Sequence, residues 1–576
     1  MNKSFHGRSL VDGFASAEVL YSDVPLSFMG GVDPATGVVT DTHHPLQGLS
    51  VKGKILAIPS GRGSCAGSGV LFELLLADMA PAGFVFAHEE TILTLGTIIA
   101  EELFGKTVPL INVGDSFQQL SSVAFATLCG SEVTIGADEA RGEKAPVARL
   151  ADLSTGDFRL TPKDKEMLEG KHGPAARAAM RIVLRAGMLE GARDLIDVSQ
   201  AHIDGCFYTG PGSLEFVRKL CELDAKVSVP SSMNAISVDQ RLWRKQGVDA
   251  AFGEAAMEVA ESYAKMGVKR TFTCAPYLLD TAPRFGEQIV WAESNAVVYA
   301  NSVIGARTMK YPDYLDICIA ITGRAPNMDC HVEKNRAATV VFNVPSDISR
   351  IDDSFYPALG YLIGHMAPND IPLICGLENA GVTLDDMKAF GAAFATTSAA
   401  PMFHILGVTA EAKTAEQVPG GKTPSREVSL SMGDLRRAWS ELNSATSEQV
   451  DYVALGNPHF SFTECGRLAK LCQAESRKAK VPITVTCGRD VYARAAEAGI
   501  IEKLHNFGVQ FINDTCWCLI GEPVIPSTAV NLMTNSAKYA HYGPAATGKG
   551  LHFRSLADCV DAACTGKAKA MPDWLS

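Results

Sequence analysis

The sequence predicts an α/β protein, with a small N-terminal domain at residues 1–155 and a larger region of several α/β subdomains at 156–576. Three observations lead there. The chain has 576 residues, too many for one hydrophobic core and enough for about three or four. Short apolar runs bounded by turn residues alternate with helical patterns along its length, the sequence signature of layered α/β packing. The stretch 137–151 is polar and irregular, with Asp138, Glu139, Arg141, Glu143, Lys144 and Pro146, as suits a linker between two cores.

In the N-terminal domain, apolar runs predict strands at Lys54–Pro59, Gly83–His88, Val108–Val113 and Ser131–Gly136, and the spacing over Val70–Met79 predicts a helix. The larger region opens at Thr161, where a capping hydroxyl is followed by Pro162 and acidic residues of a first helical turn. Strands are then expected at Ala225–Pro230, Lys269–Cys274, Ala338–Phe342, Tyr452–Leu455, Ile483–Thr486 and Val509–Asn513. Several run into polar, glycine-rich or cysteine-bearing loops, which is where open α/β sheets place their ligands.

Composition narrows the function classes. A hydrophobic share of 47% and a charged share of 20% fit a folded enzyme rather than a disordered chain. A net charge of −12 gives no field to hold phosphate backbones or anionic lipids, which argues against nucleic acid and membrane partners. No window approaches the roughly eighteen apolar residues of a membrane helix. The first residues lack the apolar core of a signal peptide, so a cytoplasmic location is expected. Fifteen cysteines, an odd number, fit reduced thiols, of which only a few need be ligands.

Five segments carry groups suited to chemistry. Pro59-Ser-Gly-Arg-Gly-Ser-Cys-Ala-Gly-Ser-Gly69 packs four glycines and three serines between a strand and a helix. Such a loop can aim backbone N–H groups at an anion and lower the cost of an alkoxide at Ser64 or Ser68; a plain tight turn capped by Ser68 is the alternative. Asp514-Thr-Cys-Trp-Cys would, if extended, present Cys516 and Cys518 on one side, and Cys274 ends another predicted strand. Gly456-Asn-Pro-His offers His459 on a proline-fixed loop. Asn301, Ser302, Arg307 and Thr308 join a carboxylate-gripping guanidinium to neutral polar groups, with a surface ion pair as the plainer reading. Asn535 to Tyr542 crowds Lys538 beside His541, where a solvated helix start is the plainer reading.

Taken together, Ser60-Gly-Arg-Gly-Ser-Cys-Ala-Gly-Ser, Thr273-Cys-Ala-Pro-Tyr, Glu293-Ser-Asn-Ala, Asn301-Ser-Val-Ile-Gly-Ala-Arg-Thr, Phe403-His-Ile-Leu-Gly-Val-Thr, Gly456-Asn-Pro-His-Phe-Ser, Asp514-Thr-Cys-Trp-Cys and Lys538-Tyr-Ala-His-Tyr resemble the aconitase X family. The resemblance spans nearly the whole chain. It implies an aconitase-like fold, with a small swivel domain fused to a large multi-subdomain α/β catalytic region, and an iron-sulfur cluster acting as Lewis acid with a swivel serine as base. Ser64 matches that serine, with Ser68 in reserve and among the substrate-binding residues together with Asn301, Ser302, Arg307, Thr308, His459 and Lys538. Cys274 and Cys516 match cluster ligands. Asn457 stands where archaeal members resemble Gly-Cys-Pro-His, so either Cys518 takes the place of the missing thiolate or the cluster is smaller or differently ligated than a four-iron one, and its nuclearity, 2Fe-2S or larger, stays open.

The Asn-Pro-His and Asp-Thr-Cys-Trp-Cys variants are similar to members acting on cis-3-hydroxy-L-proline. The implied reaction is dehydration of that small hydroxy amino acid to Δ1-pyrroline-2-carboxylate by a hydro-lyase. Alternatives are another hydroxy acid such as mevalonate 5-phosphate, which would call for more basic residues near the loop than Arg62, or a non-catalytic iron-responsive binding protein. Fusion of both parts in one chain favours a monomer.

Overall fold

The computed structural model describes residues 3–41, 44–62, 66–136, 157–346, 348–420, 424 and 426–575. The expected boundary at 155 lies outside the described residues. Among the described residues ten strands precede it: β1 Lys3–His6, β2 Arg8–Val11, β3 Phe14–Tyr21, β4 Leu26–Ser27, β5 Ile55–Ile58, β6 Gly61–Arg62, β7 Gly83–Phe86, β8 Leu110–Asn112, β9 Phe125–Cys129 and β10 Glu132–Gly136. Eight form one mixed sheet in the order β1-β10-β9-β3-β5-β7-β8-β2. Its centre, β3-β5-β7-β8, is parallel, and β5 and β7 are buried along their whole length, as strands covered on both faces should be.

Helices α1 (Gly67–Leu76) and α2 (Ile92–Phe104) cover one face. Glu90 accepts the N–H groups of Leu93 and Thr94 at 3.0 Å each, holding the start of α2. After Thr161, whose hydroxyl forms a capping box with Asp164, come α3 (Pro162–Leu168), α4 (Pro174–Leu189) and α5 (Pro211–Glu222).

The remainder contains further parallel sheets. One orders Ile405, Ile374, Phe342 and Val428 as neighbours. Another aligns Val509–Ile512, Ile483–Cys487, Tyr452–Phe460, Asn531–Thr534 and Gly550–Phe553. Most expected strands therefore form. Two do not: Ala225–Pro230 and Lys269–Cys274 lie outside strands. Proline 230 has no N–H to give a ladder, so pairing starts at Ser231–Met233 instead, and Lys269 contributes a single bridge to Ser232.

A continuous apolar core crosses from the N-terminal sheet into the larger region, joining Phe72, Leu74 and Phe84 to Met180, Phe216 and Tyr314. Polar contacts line the same seam. Arg185 donates to Glu102 at 2.8 Å and Glu101 at 2.6 Å, Arg181 to Glu102 at 2.7 Å, and Glu73 of α1 accepts Gly212 N at 2.6 Å at the start of α5. A Cβ at Gly212 would sit 2.5 Å from the Glu73 carboxylate, which would have to shift to admit it. Among the described residues no helix is long and apolar enough to cross a membrane.

Candidate active site

Three cysteines from two distant segments meet beside Ala235. Cys274 follows Phe272, which takes a left-handed φ of 46°, and Asp514, at φ 69°, starts the loop that carries the other two. That loop is not extended, as the sequence suggested. Leu519 N donates to Cys516 O at 2.9 Å, closing a turn over 516–519, and the turn brings Cys518 back onto Cys516. Cys516 packs with and interacts with both Cys274 and Cys518, so the thiols form a string with Cys516 at its middle.

Their proton affinities differ accordingly. Burial pushes Cys274 up, but the hydrogen bond from Cys516 and the proximity of His459 bring it down to about 6. The Cys516 contact also lowers Cys518, against burial and with help from the Lys538 charge. Cys516, giving its hydrogen to either neighbour, is held well above the ordinary thiol range. Thiolates are the ligating form. Among the described residues no three His, Cys, Asp or Glu side chains gather about one point in the manner of a single-ion site.

Two loops close around the string. Gly456 (φ 99°) interrupts the long strand Tyr452–Phe460, since any side chain would collide with Thr486 O, 2.2 Å from its Cβ position. The distorted strand beyond it turns Asn457 Nδ2 toward Cys518 Sγ at 3.1 Å and His459 N toward Cys274 Sγ at 3.3 Å. The His459 ring bridges Thr273 Oγ1 at 3.1 Å and Thr515 O at 2.8 Å, joining both cysteine segments. Asn457 Oδ1 is buried and accepts no hydrogen bond.

Lys538 sits in the first turn of the helix Ala537–Thr547, yet it is not solvated: its side chain is 11% exposed and donates to Glu293 Oε1 at 2.7 Å. Burial alone would strip its proton; Glu293 and the neighbouring Cys518 and Cys274 overcome that and hold it well above the ordinary lysine value. Burial likewise opposes ionisation of Glu293, but Lys538, Asn295 and Asn234 lower it to about 2. The pair is therefore ionised and fixed from both sides.

Other expected residues go elsewhere. Ser64 lies outside the described residues. Ser68 does not cap α1, whose N-cap is Ala66; its hydroxyl donates to Asp313 O at 3.3 Å across the domain seam. Asn301 is fully buried with its amide saturated by Thr308 N and O, Pro401 O and Arg336. Ser302 Oγ accepts Phe403 N at 2.9 Å and Thr308 Oγ1 accepts Trp291 N at 3.1 Å. In this structure these three polar side chains are engaged mainly with backbone groups. Arg307 pairs with Glu333, which is the surface ion pair that its segment also allowed.

The site also holds groups that sequence reasoning passed over. Asn234 donates to Asp204 and, at 3.1 Å, to Glu293 Oε2. Lys388 donates to His459 O at 3.0 Å and pairs with Glu464. A lone asparagine or a lysine in a helix carries no local signal of such a role.

Comparison with known proteins follows the same division. Family models for Aconitase X match consecutively: the swivel domain at residues 4–136, the first domain at 157–334, the second at 338–440 and the third at 450–565. A cis-3-hydroxy-L-proline dehydratase of Hypocrea jecorina is 51% identical over 583 residues, covering 100% of this chain and 98% of its own. One from Pseudomonas aeruginosa is 50% identical over 570 residues, covering 99% and 98%. The crystal structure of Thermococcus kodakaraensis aconitase X in its holo-form superposes with a TM-score of 0.64 at 30% identity, over 70% of this chain and all of that one. Four domain matches in unbroken order, with relatives half identical from end to end, place the chain in the aconitase X family.

Proposed function

We propose that the protein is a hydro-lyase that converts cis-3-hydroxy-L-proline to Δ1-pyrroline-2-carboxylate. The observation that carries the reading is the 50–51% identity, over essentially the full length, to two dehydratases of that substrate. The site's chemistry supports it. Dehydration removes the hydrogen on the carboxylate-bearing carbon and expels the adjacent hydroxide, so charge must be stabilised in two places.

An iron-sulfur cluster fits the donor set. Cys274, Cys516 and Cys518 supply three thiol ligands, two of them predisposed to the thiolate. The buried, unpartnered Asn457 Oδ1 beside Cys518 marks a polar atom awaiting a neighbour. When bound, the cluster supplies a Lewis acid for the substrate's carboxylate and hydroxyl oxygens.

The chain's own residues do the rest. The His459 N–H stabilises the Cys274 sulfur and its ring locks the two cysteine segments in register. Lys538, fixed by Glu293, places a permanent positive charge beside Cys518, where it offsets the negative charge of thiolates and substrate carboxylate. Ser64, three residues before α1 in the sequence, takes the substrate proton. Packing of α1 against Tyr314 excludes water from the seam. The enamine product then tautomerises to the cyclic imine without further enzyme chemistry. The fused chain works as a monomer in the cytoplasm.

The test is turnover of cis-3-hydroxy-L-proline by anaerobically purified protein, with imine, iron and sulfide quantified in one sample. Imine formation that is lost on chelation supports reaction and cofactor together. An iron-loaded sample that forms no imine sends the reading to another hydroxy acid.

A further inference from the structure

The two cysteine segments share a strained backbone feature at the same spacing. Phe272 stands two residues before Cys274 and Asp514 two residues before Cys516, and each takes a left-handed φ, 46° and 69°. Neither is a glycine, and a bulky residue such as phenylalanine is a plain outlier in that region. Such conformations persist only where the surroundings over-determine them.

Arg489, which the reaction as described leaves unused, reaches both. It begins the helix Arg489–Glu497, within the third-domain match, whereas Phe272 lies in the first. Its Nε donates to Asp514 Oδ1 at 2.6 Å and a terminal nitrogen to Oδ2 at 2.7 Å, a two-pronged grip that suits the guanidinium fork and not an ammonium. The same terminal nitrogen donates to Gln240 Oε1 at 2.9 Å. The guanidinium carbon lies 5.1 Å from the centre of the Phe272 ring, within range of a cation–π contact. One planar group thus touches both left-handed residues.

Asp514 is held from every side. Its side chain is fully buried, Oδ2 also accepts Gln240 N at 3.0 Å, and its carbonyl accepts Ile236 N at 2.7 Å. Ile236 follows Ala235, against which Cys274 and Cys516 pack. Asp514, Gln240 and Phe272 therefore belong to the three segments that wall the thiols, and Arg489 is the group common to them. Its contacts run to a carboxylate, an amide and a ring, so it acts on the sulfurs through the backbone that carries them.

Resting on the reading of Cys274, Cys516 and Cys518 as ligands of an iron-sulfur cluster, we propose that Arg489 is a positioning residue that holds the two cysteine segments in register for that cluster. Without its grip either segment relaxes toward ordinary backbone angles and turns its cysteine away. Reordering the ligands then has to be met out of the binding free energy, and the metal is held less tightly.

The test reads iron retention. Full-length protein purified anaerobically with its iron and sulfide is titrated with EDTA. Arg489→Lys keeps a positive charge beside Asp514 but loses the second prong and the flat face over Phe272, so the EDTA concentration that removes half of the iron is expected to fall by roughly 10–100-fold. Arg489→Gln combined with Asp514→Asn, which leaves no buried charge unpaired, is expected to show the same loss. Arg324→Lys is the control, because Arg324 makes its own buried two-pronged pair with Asp164 of α3, at 2.9 and 3.2 Å; it should hold iron as wild type does. Wild-type retention in Arg489→Lys overturns the proposal, and so does an equal loss in Arg324→Lys, which would make the effect one of general destabilisation. Cys516→Ala is measured in the same series. Full iron content in that variant overturns the ligand reading and the proposal with it, whereas iron lost from Cys516→Ala and kept by Arg489→Lys removes the proposal alone.

Discussion

A buried lysine remains an ammonium only beside an anion, and Lys538 has Glu293 at 2.7 Å. Lys538→Met strands that carboxylate, so we expect a loss of roughly 3–5 kcal/mol in denaturant unfolding, with most of it returned in the double variant Lys538→Met, Glu293→Gln. Activity should not return with stability, because the positive charge beside the thiols is gone. If the double variant turned over substrate normally, the lysine would be merely structural. Asn301 makes the opposite case. Its four internal hydrogen bonds predict that Asn301→Ala costs about 2–4 kcal/mol and leaves KM unchanged in the folded fraction; a raised KM with intact stability would return it to the substrate pocket. The two residues look equally promising in the sequence. Polarity and spacing identify groups capable of chemistry, but only tertiary contacts decide whether a partner has already taken them. Cys274, Cys516 and Cys518 could be singled out in the sequence because thiol chemistry is tied to residue type, whereas Asn234 meets the site only through Glu293, a neighbour distant in the chain.

Elements were more legible than sites. Strands at 55–58, 83–86, 483–487 and 509–512 follow from apolar runs with turn residues at both ends, because burial on both faces demands that pattern. The failures at 225–230 and 269–274 have the same composition but no partner strand to complete them. Helix ends can also be read, with a twist at α2: Thr91 occupies the N-cap without using its side chain, and Glu90 does the capping. Burial pushes Glu90 up to about 7. Its folded value therefore exceeds its unfolded one near 4.5, so its contribution is complete below about pH 4.5 and disappears as pH rises through about 7. Glu90→Gln mimics the protonated form. The difference in unfolding free energy between wild type and variant should change by on the order of 2–3 kcal/mol between pH 4.5 and 8. A difference that does not vary with pH would mean that Glu90 ionises normally in the fold.

For the molecule as a whole, the swivel and the first catalytic domain share one apolar core and a line of buried ion pairs, so they should unfold together even though sequence alone divides them near residue 155. Arg185 is central to that cohesion: its side chain is 10% exposed and meets Glu101 and Glu102, which are 7% and 2% exposed. Glu102 retains Arg181 when Arg185 is removed, but Glu101 is left without its cation. Arg185→Met should therefore weaken the seam by about 3–5 kcal/mol while leaving each domain's own sheet intact. In calorimetry the expected outcome is an early transition for the swivel, separated from the main one, with kcat reduced because α1 no longer rests on Tyr314. Adding Glu101→Gln removes the stranded charge and should merge the transitions again. A single transition in Arg185→Met, merely shifted to lower temperature, would show instead that the apolar contacts of Phe72, Phe216 and Tyr314 hold the two domains together by themselves.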